Sequence, residues 1–127
     1  MVRPVHFEIH ATDPERSVRF YQAVLGWSIE QWGDQPYWII TTGKTDEPGI
    51  NGGLLPRRGP APETGAPVNA FVVIHAVDDI DATLAVAQEH GATIALPKEN
   101  MPGVGLLAYI HDPDANLLGL LQPEPPA

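Results

Sequence analysis

The second half of the chain repeats the first at a constant offset of 65 residues. Short identities recur at this spacing along the whole chain rather than in one place. Such self-similarity is typical of two copies of one supersecondary unit. Two units are too few for a solenoid, so we expect the copies to bury their apolar faces against each other around a concave groove. The matched positions are Ile9-His10-Ala11 with Ile74-His75-Ala76, Asp13 with Asp78, Gly26 with Gly91, Pro48 with Pro113, Asn51 with Asn116, and Leu55 with Leu120.

Composition narrows the class of protein that this chain can be. It has 127 residues, no cysteine, and 16 acidic against 7 basic residues, for a net charge of −9. The length predicts a single domain over residues 1–127, because two modules of this size must share a core. An acidic chain is a poor partner for nucleic acid, whose phosphates require a basic surface. The absence of cysteine excludes disulfides and thiolate metal sites.

The sequence also lacks the marks of a membrane or secreted protein. No apolar run approaches the roughly 20 residues that a membrane-spanning helix needs. The first residues lack the apolar stretch and small-residue cleavage site of a secretory signal. We therefore expect a cytoplasmic protein without a membrane partner.

Each half predicts one strand, one helix and three further strands. The first apolar–polar alternation places His6, Glu8 and His10 together on one face of a strand. Asp13, followed by proline, is typical of a helix N-cap, and Gly26 is typical of a helix end. The expected buried stripe of this helix is Val18, Tyr21, Val24 and Leu25, and the strands are predicted near 5–11, 27–32, 37–42 and 50–56.

The second half follows the same plan. Asp78 or Asp79 is expected to cap its helix, and Gly91 to end it. Because His10 and His75 match at the offset of 65, we expect them to share a structural role where a strand meets a helix. The predicted strands are 70–77, 92–96, 106–111 and 116–122, and the Pro- and Gly-rich linker 57–67 joins module 4–56 to module 68–122.

Two adjacent glycines, Gly52 and Gly53, fall inside a predicted strand. Glycine within a strand marks a bulge, or a place where a ligand or another backbone approaches closely. We predict the bulge here, with close approach as the alternative.

Several motifs occur in an order and spacing that are specific when taken together. They are Val5-His6-Phe7-Glu8-Ile9, Asp13-Pro14-Glu15-Arg16, Phe20-Tyr21 with Leu25-Gly26-Trp27, residues 48–54, residues 102–105, and Asp112-Pro113-Asp114-Ala115-Asn116. In this order they resemble the vicinal oxygen chelate superfamily, which contains glyoxalase I, extradiol dioxygenases, and fosfomycin and bleomycin resistance proteins. The resemblance covers about residues 4–122. It implies an α+β fold of two tandem βαβββ modules forming an eight-stranded half-open barrel, as in glyoxalases.

Metal-dependent members of that superfamily hold a divalent cation at four inward positions, on the first, fourth, fifth and eighth strands. The resemblance places these positions at His6, Leu54, Phe71 and Gly119, and a register shift of two would bring in Asn69 for Phe71. Only His6 carries a usual ligand side chain. A lone imidazole cannot hold a hard divalent ion, so we expect the usual metal site to be lost and predict no cofactor. The alternative is a divalent metal at a non-standard site.

His6 and Glu8 are the candidates for a catalytic base, and equally for contacts to a cationic or hydrogen-bonding ligand. Both also fit a simpler role as polar groups that line a wet cavity. Aromatic side chains in a groove would suit a flat organic ligand, although several must belong to the core. The predicted ligand-binding residues are His6, Glu8, Trp38, Leu54, Asn69, Phe71, Tyr109 and Gly119.

These observations and the resemblance lead to one expected function and two alternatives. We expect a glyoxalase-like protein, a homodimer or else a compact monomer, that binds a small molecule, sequestering a cationic or aromatic compound as bleomycin resistance proteins do. The first alternative is a metal-dependent or His/Glu-based lyase, isomerase or dioxygenase of the same superfamily. The second is a regulatory module whose groove is vestigial.

Overall fold

The computed structural model describes residues 1 and 3–125. The chain divides into two compact units, Met1–Ala61 and Pro62–Ala127. The predicted α+β class, with two tandem βαβββ modules, is confirmed. The first unit contains β1 (His6–Ala11), α1 (Pro14–Leu25), β2 (Ser28–Gln31), β3 (Trp38–Thr41) and β4 (Asn51–Pro56). The second unit contains β5 (Val73–Ala76), α2 (Ile80–Glu89), β6 (Thr93–Met101), β7 (Gly105–His111) and β8 (Leu117–Pro123).

Each unit has one four-stranded sheet, and the two sheets have matching strand orders. The orders are β1-β4-β3-β2 and β5-β8-β7-β6. β1 runs parallel to β4 and β5 runs parallel to β8, whereas the other neighbouring strands are antiparallel. Within the described part of the chain, neither helix has the length and apolar character that a membrane span requires.

Helix α1 begins and ends where its sequence predicts. Asp13 is the N-cap, and its side chain accepts a hydrogen bond from the Arg16 amide at 3.2 Å. Pro14 takes the first helical position, where a missing N–H removes no hydrogen bond. Gly26 closes the helix at φ +70°, a left-handed conformation that costs glycine little. Both predicted boundaries are therefore confirmed.

The core of the first unit lies between α1 and one face of its sheet. The ring of Tyr21, on α1, stacks on Trp27 at a centroid distance of 5.3 Å, and Trp27 contacts Phe7 of β1 at 5.5 Å. Ile9 lies two residues further along β1 on the same face, and its register partner in β4 is the fully buried Leu54. Phe7 and Ile9 of β1 and Leu54 of β4 therefore face the helix.

The buried stripe of α1 is shifted from the predicted one. Tyr21 is buried as predicted, but the other fully buried helix residues are Ser17 and Phe20. The predicted positions Val18, Val24 and Leu25 are only half-buried. A search for evenly spaced large apolar residues does not find a small polar residue such as Ser17 at a helix–sheet contact, which explains part of the difference.

The core of the second unit is built in the same way. Asp79 is the N-cap of α2, and its side chain accepts a hydrogen bond from the Ala82 amide at 3.1 Å. The next amide, that of Ile80, donates to Oε1 of Gln122 in β8 at 3.0 Å. Gln122 is two residues beyond Leu120, which is fully buried. This face of β8 therefore packs against α2.

The strand boundaries of the second unit differ most from the prediction. β5 is shorter than the predicted 70–77, and β6 is longer than the predicted 92–96. The register of β6 with β7 shifts between Ile94 and Leu96 and again between Leu96 and Glu99. Each shift breaks the period-two alternation by which a strand is recognised in a sequence. The second half of β6 was missed for that reason.

A side-chain hydrogen-bond network shapes the turn that leads into β8. Asp112 is buried, and its carboxylate accepts from the amides of Asp114 and Asn116 at 2.8 and 2.9 Å. It also accepts from the Asn116 side-chain amide at 3.2 Å. Ala115 adopts φ +65°, a left-handed conformation that costs an L-residue with a Cβ atom about 1–2 kcal/mol of conformational free energy. The network holds this backbone in place and fixes where β8 begins.

The structural repeat is 66 residues long, not the 65 that the short identities indicate. The N-cap residues Asp13 and Asp79 lie 66 positions apart. The same spacing separates Leu54 from Leu120, the fully buried residues of β4 and β8. An error of one residue matters in a strand, because it exchanges the two faces. Equivalences based on the offset of 65 therefore fail for strand residues.

His10 and His75 show this error directly. His10 lies on the face of β1 that points away from α1, with Nε2 3.4 Å from Oε1 of Glu8. His75 is the register partner of Leu120 and lies on the face that packs against α2, where its Nδ1–H donates to the Gly119 carbonyl at 3.1 Å. Burial lowers the pKa of His75, and this hydrogen bond opposes the shift only in part. The predicted shared role of the two histidines is wrong.

The assignment of faces can be checked with two neighbouring leucines of β4. Leu54→Ala should lower the free energy of unfolding by about 2–5 kcal/mol, because it empties a fully buried site against α1. Leu55→Ala makes the same chemical change on the opposite face, where the side chain is half-buried, and should cost less than half as much. Urea denaturation of both variants measures the difference. Equal losses would contradict the assignment.

The buried imidazole of His75 predicts a loss of stability in mild acid. Because burial lowers the pKa of His75 in the folded chain, the unfolded chain takes up a proton that the folded chain does not. The free energy of unfolding should therefore fall as the pH drops below about 6.5 and level off once the folded-state pKa is passed. His75→Gln should flatten this fall in urea denaturation series. Identical slopes for wild type and His75→Gln would rule the explanation out.

Candidate functional site

The face of the first sheet that points away from α1 carries the polar residues of β1. His6, Glu8 and His10 alternate with apolar residues that face the helix. Gly53 of β4 is the register partner of Glu8 and lies on the same side. Tyr37, just before β3, reaches over Gly53. We call this surface, made of His6, Glu8, His10, Tyr37 and Gly53, the polar face.

Tyr37 can lie against β4 because position 53 is glycine. A Cβ atom at Gly53 would overlap the hydroxyl and Cζ of Tyr37. The same hydroxyl lies 2.9 Å from Nε2 of His6, in a hydrogen bond whose donor depends on the imidazole tautomer. On the other side of β4, a Cβ atom at Gly52 would meet the ring of Phe7. The register of β1 with β4 is unbroken at both glycines, so the predicted bulge is wrong. Both glycines lie instead under a neighbouring aromatic side chain, whereas the alternative expected a ligand or another backbone to approach.

A short turn between β2 and β3 fixes the backbone of Tyr37. The Trp32 amide donates to the Tyr37 carbonyl at 2.9 Å, and the Gln35 amide donates to the Trp32 carbonyl at 2.9 Å. The side-chain amide of Gln31 donates to the Gln35 carbonyl, also at 2.9 Å. The rings of Trp32 and Tyr37 meet edge to face at 6.3 Å, yet Trp32 remains 61% exposed. An ordered, accessible indole therefore borders the polar face.

Glu8 supplies the negative charge of the polar face. Its Oε1 lies 3.4 Å from Nε2 of His10, and both side chains are partly exposed. A contact between two partly exposed polar side chains contributes little to stability, because water competes for both groups. Burial raises the pKa of Tyr37, and the nearby charge of Glu8 raises it further. The phenol is therefore protonated at neutral pH, and its oxygen can both donate and accept a hydrogen bond.

The predicted site residues of the first unit divide between the two faces of the sheet. His6 and Glu8 lie together on the polar face, as the alternation of β1 predicts. Trp38 and Leu54 are register partners and lie on the opposite face, which packs against α1. Their expected place beside His6 is wrong. For Leu54 the cause is the offset of 65, because the β4 residue that shares the face of Glu8 is Gly53.

Three residues of the polar face are absent from the predicted site residues: His10, Tyr37 and Gly53. Trp32, which borders this face, is absent from them as well. Tyr37 and Trp38 are adjacent aromatics in the sequence, and period two alone does not say which one faces the helix. The glycine pair was the available signal, because a strand glycine without a bulge marks a close approach from a neighbouring side chain. The sequence does not say which side chain approaches.

In the second unit, two predicted site residues lie together and two lie apart. Tyr109 of β7 and Ile74 of β5 are both register partners of Gly119, on the face that points away from α2. A Cβ atom at Gly119 would lie 2.9 Å from Cγ1 of Ile74 and 3.2 Å from Cε1 of Tyr109. Asn69 and Phe71 precede β5 and are exposed. A role in ligand contact stays a prediction for all four predicted residues of this unit.

The repeat of 66 residues also moves two of the four metal-ligand positions that the resemblance implies. The strand-five equivalent of His6 becomes Val72, and the strand-four equivalent of Gly119 becomes Gly53. Neither side chain has a donor atom, and His6 is still the one imidazole among the four positions. Within residues 1 and 3–125, no group of three or more His, Cys, Asp or Glu side chains is arranged to hold a metal ion. These residues do not fit the hard divalent ion of the metal-dependent members.

The modules and their strand orders define a protein of the glyoxalase fold. The model of the Glyoxalase/Bleomycin resistance protein/Dioxygenase superfamily matches residues 3–120. The chain belongs to this superfamily. The resemblance inferred from the motifs is therefore confirmed.

Relatives and solved structures of the superfamily cover nearly the whole chain. CFP32 of Mycobacterium bovis and of Mycobacterium tuberculosis, provisionally named a glyoxylase, is 31% identical over 121 residues. That match takes in 93% of this chain but 43% of CFP32, so the chain spans less than half the length of these relatives. TnmS3, an antibiotic binding protein from Streptomyces sp. CB03234, is 25% identical, with a TM-score of 0.67 over 97% of this chain and 98% of its own. A glyoxalase/bleomycin resistance protein/dioxygenase family enzyme from Burkholderia phytofirmans PsJN is 21% identical, with a TM-score of 0.74 over 94% and 97%.

Proposed function

We propose that the chain binds a small organic compound on the polar face and sequesters it without the superfamily's metal ion. The observation that carries the proposal is the seating of Tyr37 on Gly53, where its hydroxyl bonds to His6 beside Glu8. This arrangement fills the strand-four metal position with an ordered hydrogen-bonding group. An exposed sheet face needs no such group for stability, since water would solvate it equally well.

The chemistry of the polar face suits a cationic or aromatic compound. Glu8 provides a carboxylate, which attracts a cation and accepts its hydrogen bonds. The exposed indole of Trp32 provides an aromatic surface for stacking or for a cation–π contact. The net charge of −9 favours the approach of a cation at long range.

TnmS3 gives the proposal a precedent, because that protein of the same fold is an antibiotic binding protein. At 25% identity it supports the class of function, not the identity of the ligand. A homodimer in the cytoplasm is part of the same proposal. The absence of cysteine supports the cytoplasmic location. The resemblance to the bleomycin resistance branch supports the homodimer.

A lyase or isomerase that uses His6 or Glu8 as its base is the second candidate. The observation in its favour is the bond between the Tyr37 hydroxyl and Nε2 of His6, since a phenol and an imidazole in contact can pass a proton between them. The side chains of Glu8 and His10 are partly exposed, however, and proton transfer to a carbon acid benefits from exclusion of water. Binding is therefore the better-supported function.

Substitution of Glu8 tests the proposed function. A thermal-shift panel of hydrophobic amines, amine-bearing antibiotics and aromatic α-keto acids should contain at least one amine that stabilises the wild type. A ligand at 100 times its Kd adds about 2.7 kcal/mol. Glu8→Gln should abolish most of that shift without lowering the melting temperature of the free protein. Glu30→Gln is the matched control, because Glu30 lies on the same side of the sheet but on β2, at the opposite edge. No shift with any compound would favour the regulatory alternative.

Metal analysis tests the proposal that the chain binds its ligand without the superfamily's metal ion. Protein purified without chelators should carry far less than one equivalent of Zn, Ni, Mn or Fe, because the four superfamily positions supply one imidazole. Elemental analysis by mass spectrometry measures the content, and a parallel sample incubated with excess metal and then desalted controls for loss during purification. One tightly held equivalent in either sample would favour the metal-dependent alternative.

A further inference from the structure

We propose that Tyr37 makes the polar face select ammonium groups that carry N–H bonds over quaternary ammonium groups. The inference rests on the proposed function and names the class of cation that the face takes. Two acceptors lie on the same side of the sheet there: the Glu8 carboxylate, and the oxygen of Tyr37, whose ring lies over the register partner of Glu8. A primary or secondary ammonium can donate to both at once, and a quaternary ammonium can donate to neither.

The first step of the argument is that Tyr37 cannot easily turn away. Its backbone is held by the hydrogen bond from the Trp32 amide, at 2.9 Å. Its ring lies against β4 in the space that a side chain at Gly53 would take. Its hydroxyl is bonded to His6 at 2.9 Å. A group held at three points offers its hydrogen bond without first being ordered, and this is what makes such a bond useful for selection.

The second step concerns the direction of the hydrogen bonds. When the Tyr37 O–H donates to Nε2 of His6, the lone pairs of the phenol oxygen remain to accept from a ligand. Glu8 is the register partner of Gly53, over which the phenol lies, so the carboxylate and the phenol oxygen come from neighbouring positions of the polar face. A cationic N–H that bridges the two acceptors is therefore matched in both charge and direction.

The third step separates this selection from the general attraction for cations. The Trp32 ring and the charge of Glu8 attract a quaternary ammonium as well as a primary one. The directional bonds to Tyr37 and Glu8 act on the N–H form alone. The ratio of the two affinities therefore reports the hydrogen bonds, and the absolute affinity reports charge and aromatic contact.

The other charged groups on this side of the sheet do not supply the same pair of acceptors. Glu30 lies on β2, at the edge opposite to β1, and is exposed. His10 and His6 are imidazoles, and His10 already faces Glu8 across 3.4 Å.

The test compares two probes that differ only at nitrogen: 2-(2-naphthyl)ethylammonium and its N,N,N-trimethyl analogue. Isothermal titration of the full chain at about pH 7.5–8 gives both dissociation constants. The primary ammonium should bind at least about tenfold more tightly, which corresponds to one charge-assisted hydrogen bond. Equal affinities, or tighter binding of the trimethyl analogue, would overturn the selection and leave the proposed function standing. If neither probe binds, the selection is overturned, and the thermal-shift panel decides the proposed function separately.

Variants locate the selection in Tyr37. Tyr37→Phe keeps the ring and removes the hydroxyl, so it should reduce the ratio to within about threefold while leaving the affinity for the trimethyl analogue nearly unchanged. Glu8→Gln should weaken both probes. Gly53→Ala keeps every polar group but displaces the phenol, and it should also remove the preference.

Matched controls show whether a lost preference comes from the Tyr37 hydroxyl or from any substitution in the chain. Gly59→Ala adds a methyl group where no atom lies within 4 Å, and it should change neither affinity. Thermal melting shows whether Gly53→Ala is folded, and Tyr37→Phe carries the test if it is not. A preference that survives in Tyr37→Phe would show that another group selects the ammonium, and it would overturn the role of Tyr37.

Discussion

The alternation of side chains along β1 and β4 is the constraint on which the rest of the first unit depends. Phe7 and Leu54 pack toward α1, and this burial fixes which side of each strand is left for other uses. The side chains of His6 and Glu8 must then point to the opposite side of the sheet, because successive side chains of a strand alternate between its two faces. The polar face is thus a consequence of the core.

Local signals in the sequence were sufficient for most of the fold. Asp13 and Gly26 are the caps of α1, and Asp79 is the N-cap of α2. Such caps can be predicted from the sequence because a capping residue acts on backbone groups only a few residues away. The repeat length was harder to obtain from the sequence. The triplet at Ile9 recurs at Ile74, but the helix-facing positions recur one residue later, and only packing against a helix distinguishes the two spacings. Identity between short segments carries no information about which face is buried.

The sequence predicts the site residues whose position depends on a single strand. It does not predict those whose position depends on several segments. His6 and Glu8 follow from the alternation of β1 alone. Tyr37 follows from a turn, from the pairing of β3 with β4, and from the absence of a side chain at Gly53, and no one segment contains all three. Whether Tyr37 or Trp38 lies on the polar face again depends on the strand register. The prediction names Trp38 as a site residue, but Trp38 lies on the face that packs against α1, and Tyr37 lies on the polar face.

A metal centre and an ordered phenol are alternative ways to hold a ligand on the same scaffold. A metal site needs several donors converging on one point, and Val72, Gly53 and Gly119 cannot supply them. In this chain the Tyr37 ring lies in the space that a side chain at Gly53 would take, and its hydroxyl bonds to the imidazole of His6. A metal offers empty coordination positions to oxygen donors, whereas the phenol on the face of Glu8 offers an acceptor to N–H donors. The same strands can therefore offer a ligand either of two opposite polarities, depending on whether β4 carries a metal ligand or a glycine.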